Sequence, residues 1–206
     1  VLDRVFSHTY GKSGCRRTIP GHLMTVDPQG RAVFLSALES NRIVYVVERE
    51  GTESEEVGKM KVRSPLEANR PNYHTLAARF LHCPLNPRIA ILERDFAGRL
   101  FLSIFDVELG LNHIVKKATI EVDPTAYDIM PLTNGDFVVF TAQHSITYRL
   151  VNNKTIEVIT SDKLTSLVTS FTASGIIQFE SGELLRHTDD TSTGNIPTAL
   201  QIVDYN

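Results

Sequence analysis

Gly11-Lys12-Ser13 is the tripeptide that most strongly suggests a chemical role, because Gly-Lys-Ser closes the phosphate-binding loop of many nucleotide hydrolases. That motif also requires a glycine about five residues earlier and a helix directly afterwards. Phe6 occupies the first of these positions, and Thr18-Ile19-Pro20-Gly21 follows where the helix would begin. We therefore expect a glycine-rich loop between strands here, and no nucleotide or other cofactor.

His82-Cys83 is an adjacent pair of soft metal ligands. A structural zinc site takes about four ligands at characteristic spacings, and no CxxC or HxxxH accompanies this pair. Because Pro84 follows directly, we interpret the pair as the end of a strand entering a loop. Isolated histidines are usually structural or surface groups, and we assign no role to His8, His22, His74, His82, His113, His144 and His187.

The chain has no GxSxG nucleophile turn, and Ser13-Gly14-Cys15 does not provide one. Asp95, Asp106 and Glu108 lie close in sequence, and paired carboxylates can bind a cation or transfer protons. Asp106 and Glu108 share a face only if their strand is regular. Without a third ligand we interpret all three as solvent-facing strand residues. The sequence thus predicts no catalytic and no metal-binding residue, and no enzyme.

The formal net charge of −3 argues against binding nucleic acid through the overall electric field, which rests on clustered Lys and Arg. Basic residues form only two small groups, at Lys12/Arg16/Arg17 and Lys116/Lys117. The acidic run from Glu48 to Glu56 is interpreted as a solvated loop.

Cys15 and Cys83 are the two cysteines, in unrelated contexts, so a disulfide framework is not expected. A reducing compartment such as the cytoplasm or nucleus fits this usage better. No apolar run approaches the roughly 20 residues that span a bilayer.

Short apolar, β-branched or aromatic runs recur along the chain, separated by turn-forming residues such as Asn134-Gly135. They predict strands at His22–Val26, Ala32–Leu38, Ile43–Val47, Tyr73–Leu81, Ile89–Leu92, Leu100–Val107, His113–Val122, Phe137–Thr141, Ile146–Val151, Thr155–Ile159, Leu167–Thr172, Ile176–Phe179 and Leu184–His187.

The first two predicted strands are joined by Asp27-Pro28-Gln29-Gly30-Arg31, which is a turn signal with a physical basis. Pro28 presets φ, the Asp27 side chain can accept a hydrogen bond from the backbone ahead of it, and Gly30 can take positive φ. The flanking strands should therefore pair antiparallel. In contrast, Ser64-Pro65-Leu66-Glu67 carries helix-start signals, and it predicts a helical turn that Pro71 keeps short.

The fold class that these patterns favour is all-β, a partial β-propeller with little helix. Ile43–Val47 and Phe137–Phe140 are apolar at consecutive positions, as in strands buried on both faces between propeller blades. At about 40–50 residues per four-stranded blade, the chain holds about four or five blades. The chain contains no Trp, so it lacks the Trp-Asp signature of the commonest propeller repeats. A β-sandwich remains an alternative.

Residues 1–206 are interpreted as part of a single propeller domain and as a piece of a larger multi-propeller chain. The sequence begins at Val1 without an initiator Met, already in an alternating pattern, and it stops at Asn206 shortly after Ile202-Val203.

Several ordered motifs carry a family resemblance: GKSGCRR (11–17), PGHLMTVDPQGRAVFLSALE (20–39), IVYVVER (43–49), SPLEA (64–68), ELGLNHIVKK (108–117) and SITY (145–148). Together they resemble the first β-propeller of the large propeller subunit of splicing factor 3b. Its superfamily includes the large subunits of the damaged-DNA-binding complex and of the cleavage and polyadenylation specificity factor. The match runs from about Phe6 to Tyr148, and more weakly through Gly175–Asp190. The connection from Tyr148 to Phe171 is shorter than the family pattern, and Glu50–Glu56 differs.

The resemblance implies a non-enzymatic scaffold of the U2 small nuclear ribonucleoprotein that supports branch-site recognition in pre-mRNA splicing, in the nucleus. Its implied partners are the HEAT-repeat large subunit and a small helical subunit of the same complex, with RNA contacted indirectly through the complex. The implied alternatives are an adaptor of a cullin ubiquitin ligase or a 3′-end-processing scaffold, and a propeller hydrolase is a further alternative. The sequence does not identify the partner contacts; candidates for interface anchors are Arg16, Arg17, Arg70 and Tyr73.

Overall fold

The computed structural model describes residues 4, 6–10, 15–50, 59–163, 169–172, 175–180 and 183–187. These residues form sixteen β-strands in four antiparallel sheets. No α-helix occurs among them, and hence none that is long and apolar enough to cross a membrane.

The first sheet follows a turn-rich segment and has a divided outer edge. Its strands are β1 (Leu23–Val26), β2 (Ala32–Ser36), β3 (Arg42–Glu50), β4 (Lys59–Val62) and β5 (Leu66–Glu67). They pair in the order β1-β2-β3, and β3 then pairs with β5 along its first half and with β4 along its second half.

The helical turn predicted at Ser64–Glu67 is wrong, because Leu66 and Glu67 are extended and pair with Val44 and Ile43 of β3. Unpaired N–H and C=O groups on the edge of a strand favour a partner, and this gain exceeds a weak local preference over four residues. The φ of Pro65 suits an extended chain as well as a first helical turn.

The second and third sheets are regular four-stranded meanders. The second contains β6 (Tyr73–Leu81), β7 (Arg88–Asp95), β8 (Leu100–Glu108) and β9 (His113–Val122). The third contains β10 (Asp128–Pro131), β11 (Phe137–Phe140), β12 (His144–Val151) and β13 (Thr155–Lys163). A fourth sheet contains β14 (Thr169–Thr172), β15 (Gly175–Glu180) and β16 (Glu183–His187).

The first strands of the first three sheets are neighbours, since β6 packs beside both β1 and β10. Side-by-side first strands and successive four-stranded meanders are the arrangement of propeller blades. The predicted all-β partial propeller is therefore confirmed. The assignment of residues 1–206 to one domain stays a prediction.

Apolar side chains fill the spaces between neighbouring sheets. Phe34, Val44 and Ile91 belong to the cluster between the first and second sheets, and Leu102 and Phe137 to the cluster between the second and third. All four residues of β11 are buried. Phe137 and Val139 face the second sheet, whereas Val138 and Phe140 belong to a separate cluster with Leu132. The predicted burial of both faces of this strand is confirmed.

The acidic run that begins at Glu48 lies partly in β3 and partly among residues that the structure does not describe. β3 continues to Glu50, so a loop starting at Glu48 is wrong, and residues 51–58 lie outside the described part. Glu48 forms an ion pair with Arg63, whose hydrogen bond is the main reason that the pKa of Glu48 is lowered.

Candidate partner-binding surface

The turn between β1 and β2 is built around a buried carboxylate. Asp27 is 2% exposed, and its Oδ2 accepts hydrogen bonds from the Arg31 backbone N–H at 3.2 Å and from Nε at 2.8 Å. Nη2 of Arg31 donates to Oδ1 at 3.0 Å. The Gly30 N–H donates to the Asp27 carbonyl at 2.8 Å, and Gly30 has a φ of 71°. The predicted turn and the antiparallel pairing of its strands are confirmed.

Arg31 continues from this turn to the second sheet. Its Nη1 donates to the Pro84 carbonyl at 3.0 Å, and its Nη2 donates to the Cys83 carbonyl at 2.8 Å. Because the bidentate contact with Asp27 fixes the plane of the guanidinium, these donors reach the neighbouring turn with little loss of side-chain freedom. The prediction that His82-Cys83 ends a strand is confirmed, since β6 stops at Leu81.

The third sheet brings a similar turn to the same place. The Gly135 N–H donates to the Leu132 carbonyl at 3.1 Å, and Gly135 has a φ of 89°. A Cβ at Gly135 would lie 3.0 Å from the His82 carbonyl oxygen, so glycine allows the two turns to approach closely. Asp136 is buried, and it accepts hydrogen bonds from Arg149 at 2.7 and 2.6 Å.

These three turns enclose a pocket of about 270 Å³, which we call the inner-turn pocket. It is lined by Asp27, Pro28, Gln29, Arg31, His82, Cys83, Pro84, Thr133 and Asn134. Gln29, Thr133 and Asn134 are exposed, whereas His82 and Cys83 are half-buried. The described residues contain no group of three His, Cys, Asp or Glu side chains that could hold a metal ion.

Two further arginines cross between sheets. Arg63, between β4 and β5, donates to the Leu109 carbonyl at 3.0 Å. Arg88, at the start of β7, donates to Asn153 Oδ1 in the turn between β12 and β13 at 2.7 Å. Together with Arg31, these contacts tie the first sheet to turns of the second and the second sheet to a turn of the third.

The carboxylates considered for acid–base chemistry are ion-paired instead. Asp106 is 4% exposed and is held by Arg88, with Nε at 2.6 Å and Nη2 at 2.9 Å, which raises the pKa of Arg88. Lys117 Nζ lies 3.2 Å from Glu108 and 4.0 Å from Asp106, so the two carboxylates do share a strand face. Asp95 lies apart from them as the last residue of β7. The interpretation of Asp106 as solvent-facing is wrong, because Arg88 makes its burial possible.

A second ionic cluster lies between the first and second sheets, and sequence reasoning missed it. Arg42 and Glu93 are fully buried, with Nη2 2.8 Å from Oε2. That contact lacks hydrogen-bond alignment, whereas Arg42 Nε donates to Thr75 Oγ1 at 2.9 Å. Burial, and then the positive charge of Arg70, lowers the pKa of Arg42 to about 9. Arg42 directly precedes the consecutive apolar residues Ile43–Val47 of β3, and this position is the one sequence signal for its burial.

This cluster explains two of the predicted interface anchors. Arg70 forms an ion pair with Glu93, donates to Ser103 Oγ at 2.9 Å, and lies 3.9 Å from the centre of the Tyr73 ring. Tyr73 in turn packs edge-on against Phe101, with ring centres 6.0 Å apart. Both residues therefore pack against other parts of this chain, which leaves little of either for a partner.

The other two predicted anchors are accessible. Arg16 and Arg17 are exposed, and their carbonyls accept hydrogen bonds from the N–H groups of Leu38 and Glu39 at 3.1 and 2.8 Å. Arg17 also pairs with Glu39 through its side chain. They lie at the end of β2 opposite Arg31, so the structure does not bring them to the inner-turn pocket. Residues 11–14, with the Gly-Lys-Ser tripeptide, lie outside the described part.

The histidines are dispersed rather than grouped. His8 contacts the hydroxyl of Tyr45, and His74 Nε2 lies 3.6 Å from Glu39 while its ring packs edge-on against Phe96. His82 lines the inner-turn pocket. The side chain of His187 lies outside the described part.

Comparison with known proteins places this fold in a family. A family model described as "RSE1/DDB1/CPSF1 first beta-propeller" matches residues 1–185. The pre-mRNA-splicing factor rse1 of Emericella nidulans is 33% identical over 175 residues, covering 76% of this chain and 14% of that protein. RSE1 of Eremothecium gossypii is 41% identical over 132 residues, covering 63% of this chain and 10% of that protein. Splicing factor 3B subunit 3 of Drosophila melanogaster is 30% identical over 169 residues, covering 72% of this chain and 13% of that protein.

The chain thus spans 14% or less of the length of these relatives. The family match, in contrast, extends over most of the chain and agrees with its successive four-stranded antiparallel sheets. This chain belongs to the RSE1/DDB1/CPSF1 first β-propeller family.

Proposed function

We propose that the protein containing this chain is a non-enzymatic scaffold subunit of a splicing factor 3b complex and acts in the nucleus. As part of the U2 small nuclear ribonucleoprotein it would support branch-site recognition in pre-mRNA splicing. The observation that carries the proposal is its likeness to relatives named as splicing factors in fungi and an insect. The HEAT-repeat large subunit and the small helical subunit are the proposed partners, and RNA is contacted through the complex.

The geometry agrees with a scaffold, because the buried aspartates are engaged in ion pairs. Asp27, Asp106 and Asp136 each pair with an arginine, so none of them is available as a proton-transfer group or a nucleophile. Turns that are already held by such ion pairs would lose little further freedom on binding, which lowers the entropic cost of assembly.

Affinity purification of the full-length protein from its own cells tests the proposal. We expect the other splicing factor 3b subunits and U2 RNA to be recovered together with it. Recovery of cullin-ligase subunits, or of cleavage and polyadenylation factors, in their place would overturn the assignment, since the same family includes those branches. A salt wash separates weak electrostatic contaminants from a stable complex.

A further inference from the structure

The inner-turn pocket carries almost no net charge, although an arginine lines it. Four of the five N–H donors of Arg31 are directed at Asp27 and at the carbonyls of Cys83 and Pro84. The carboxylate of Asp27 cancels the positive charge at hydrogen-bond distance. A phosphate would therefore find a single remaining donor on Arg31 and no excess positive charge, so the pocket is unsuited to RNA.

The groups that remain available in the pocket are neutral donors and acceptors. Within the part of the chain that the structure describes, the side chains of Gln29 and Thr133 form no hydrogen bond, and both are exposed. An amide and a hydroxyl can each donate and accept, which is the combination that a peptide group requires. Pro28 and Pro84 add rigid apolar walls on either side.

The pocket is also held in a fixed shape. Arg31 ties the first turn to the second, and the third turn packs closely against the second where Gly135 approaches the His82 carbonyl. A preformed site avoids the ordering cost that a flexible loop incurs when it binds. Leu85, the residue after Pro84, is 80% exposed and provides an apolar contact beside the pocket.

We propose that the inner-turn pocket binds the tip of an uncharged polar loop from a partner protein subunit, through the main-chain amides of that loop. With about 270 Å³, the pocket lies below the range of about 300–1,000 Å³ that is usual for small-molecule sites, and it suits one loop tip inserted from a larger interface. The proposal rests on the proposed function, because it requires that the protein be part of a multi-subunit complex.

The two cysteines provide a direct test. Cys83 lines the pocket, whereas Cys15 is exposed near the opposite end of β2. The full-length protein, alone and within the purified complex, is treated with N-ethylmaleimide, and alkylation of each cysteine is followed by peptide mass spectrometry. We expect Cys83 to react at least about tenfold more slowly in the complex, as in a water-excluding interface, and Cys15 to react at a similar rate in both.

Equal reactivity of Cys83 in the two preparations would overturn the proposal. Protection that disappears on nuclease treatment would also overturn it, because the occupant would then be RNA. Protection that persists after nuclease treatment and is confined to Cys83 supports a protein occupant.

Substitutions that fill the pocket provide an independent test. Thr133→Arg places a long charged side chain at the mouth of the pocket, and Ala97→Arg, in the exposed turn after β7, is the matched control. We expect Thr133→Arg to lower recovery of at least one partner subunit by about tenfold and Ala97→Arg to leave recovery unchanged. Circular dichroism verifies that both variants fold.

The outcomes separate this proposal from the function on which it rests. If the unmodified protein recovers no splicing factor 3b subunit, the proposed function fails. If it recovers them and Thr133→Arg does so equally well, the function stands and the inference about the pocket is wrong.

Discussion

Two turns in this chain have the same sequence pattern, Asp-x-x-Gly-Arg, and different roles. Asp27–Arg31 joins β1 to β2, and Asp95–Arg99 joins β7 to β8. Their backbones agree closely: Gly30 and Gly98 have φ of 71° and 86°, and each donates its N–H to the aspartate carbonyl, at 2.8 and 3.1 Å. In both turns the aspartate side chain accepts from the backbone N–H and Nε of the arginine.

The difference lies in what each arginine reaches. Arg31 is 18% exposed in its side chain and contacts the next sheet, whereas Arg99 is 59% exposed and lies over the Phe101 ring of its own sheet, 5.4 Å from the ring centre. The pattern thus specifies the turn, and the neighbouring sheet decides whether the ion pair stabilises an interface. A buried pair should be sensitive to loss of one partner, and an exposed pair should not.

The largest expected effect comes from removing each aspartate. Asp27→Ala leaves Arg31 largely buried without its counter-charge and should lower the free energy of unfolding by about 3 kcal/mol. Asp95→Ala should have less than half of that effect, because water solvates Arg99. Urea unfolding followed by far-ultraviolet circular dichroism measures both. Equal losses of unfolding free energy would show that the contacts of Arg31 with the second sheet add no stability beyond that of the turn itself.

Arg31→Lys should have the next largest effect. A lysine keeps the charge but cannot contact Asp27 with two nitrogens while donating to Cys83 and Pro84, so we expect a loss of about 2 kcal/mol. Arg99→Lys is the matched control and should change the unfolding midpoint little. If both lysine variants behave alike, the hydrogen bonds to the second sheet are not a source of stability.

Gly30→Val should destabilise the chain by about 1–2 kcal/mol, because a β-branched residue is strained at positive φ. Gly98→Val should cost nearly the same, since a Cβ at either glycine meets nothing within 4 Å and only the backbone is affected. The two melting temperatures therefore test whether the turns share one backbone geometry. An unchanged melting temperature for Gly30→Val would contradict the turn assignment.

The smallest effect concerns pH. Burial alone would raise the pKa of Asp95, but hydrogen bonds from the Arg99 backbone and guanidinium outweigh it and lower the pKa. A lowered pKa in the folded state means that the contribution to stability is present above the unfolded pKa of about 3.9 and disappears as pH falls through the folded value. The difference in unfolding midpoint between wild type and Asp95→Asn should therefore be constant near neutral pH and vanish in acid. If the difference in unfolding midpoint grows in acid, the pH dependence has the opposite sign and the prediction is wrong.

Local patterns predicted those elements whose determinants are close in sequence. The bounds predicted for Tyr73–Leu81 and His113–Val122 match β6 and β9, and the Asp27–Arg31 turn was recognised from Pro28 and Gly30. β4 and β10 were missed, because Lys59–Val62 and Asp128–Pro131 have few β-formers and become strands by pairing with β3 and β11.

The candidate site was less accessible to sequence reasoning. No local pattern indicates that Arg31 extends to Cys83, or that Arg42 meets Glu93, because both contacts depend on how successive sheets pack. The repeated Asp-x-x-Gly-Arg pattern was the one available signal, and it marks the turn rather than the contact. Arg70 and Tyr73 had the residue types of interface anchors and instead face another part of the same chain.

The divided outer edge of the first sheet has a consequence for association between molecules. A long, flat, unpaired strand edge invites a strand from another protein chain and leads to aggregation. Here β4 and β5 are both short, and Pro65 lies between them. An incoming strand could pair with only four residues before β4 ends. Among the described residues, the sheet therefore ends in an edge that discourages templated β-pairing.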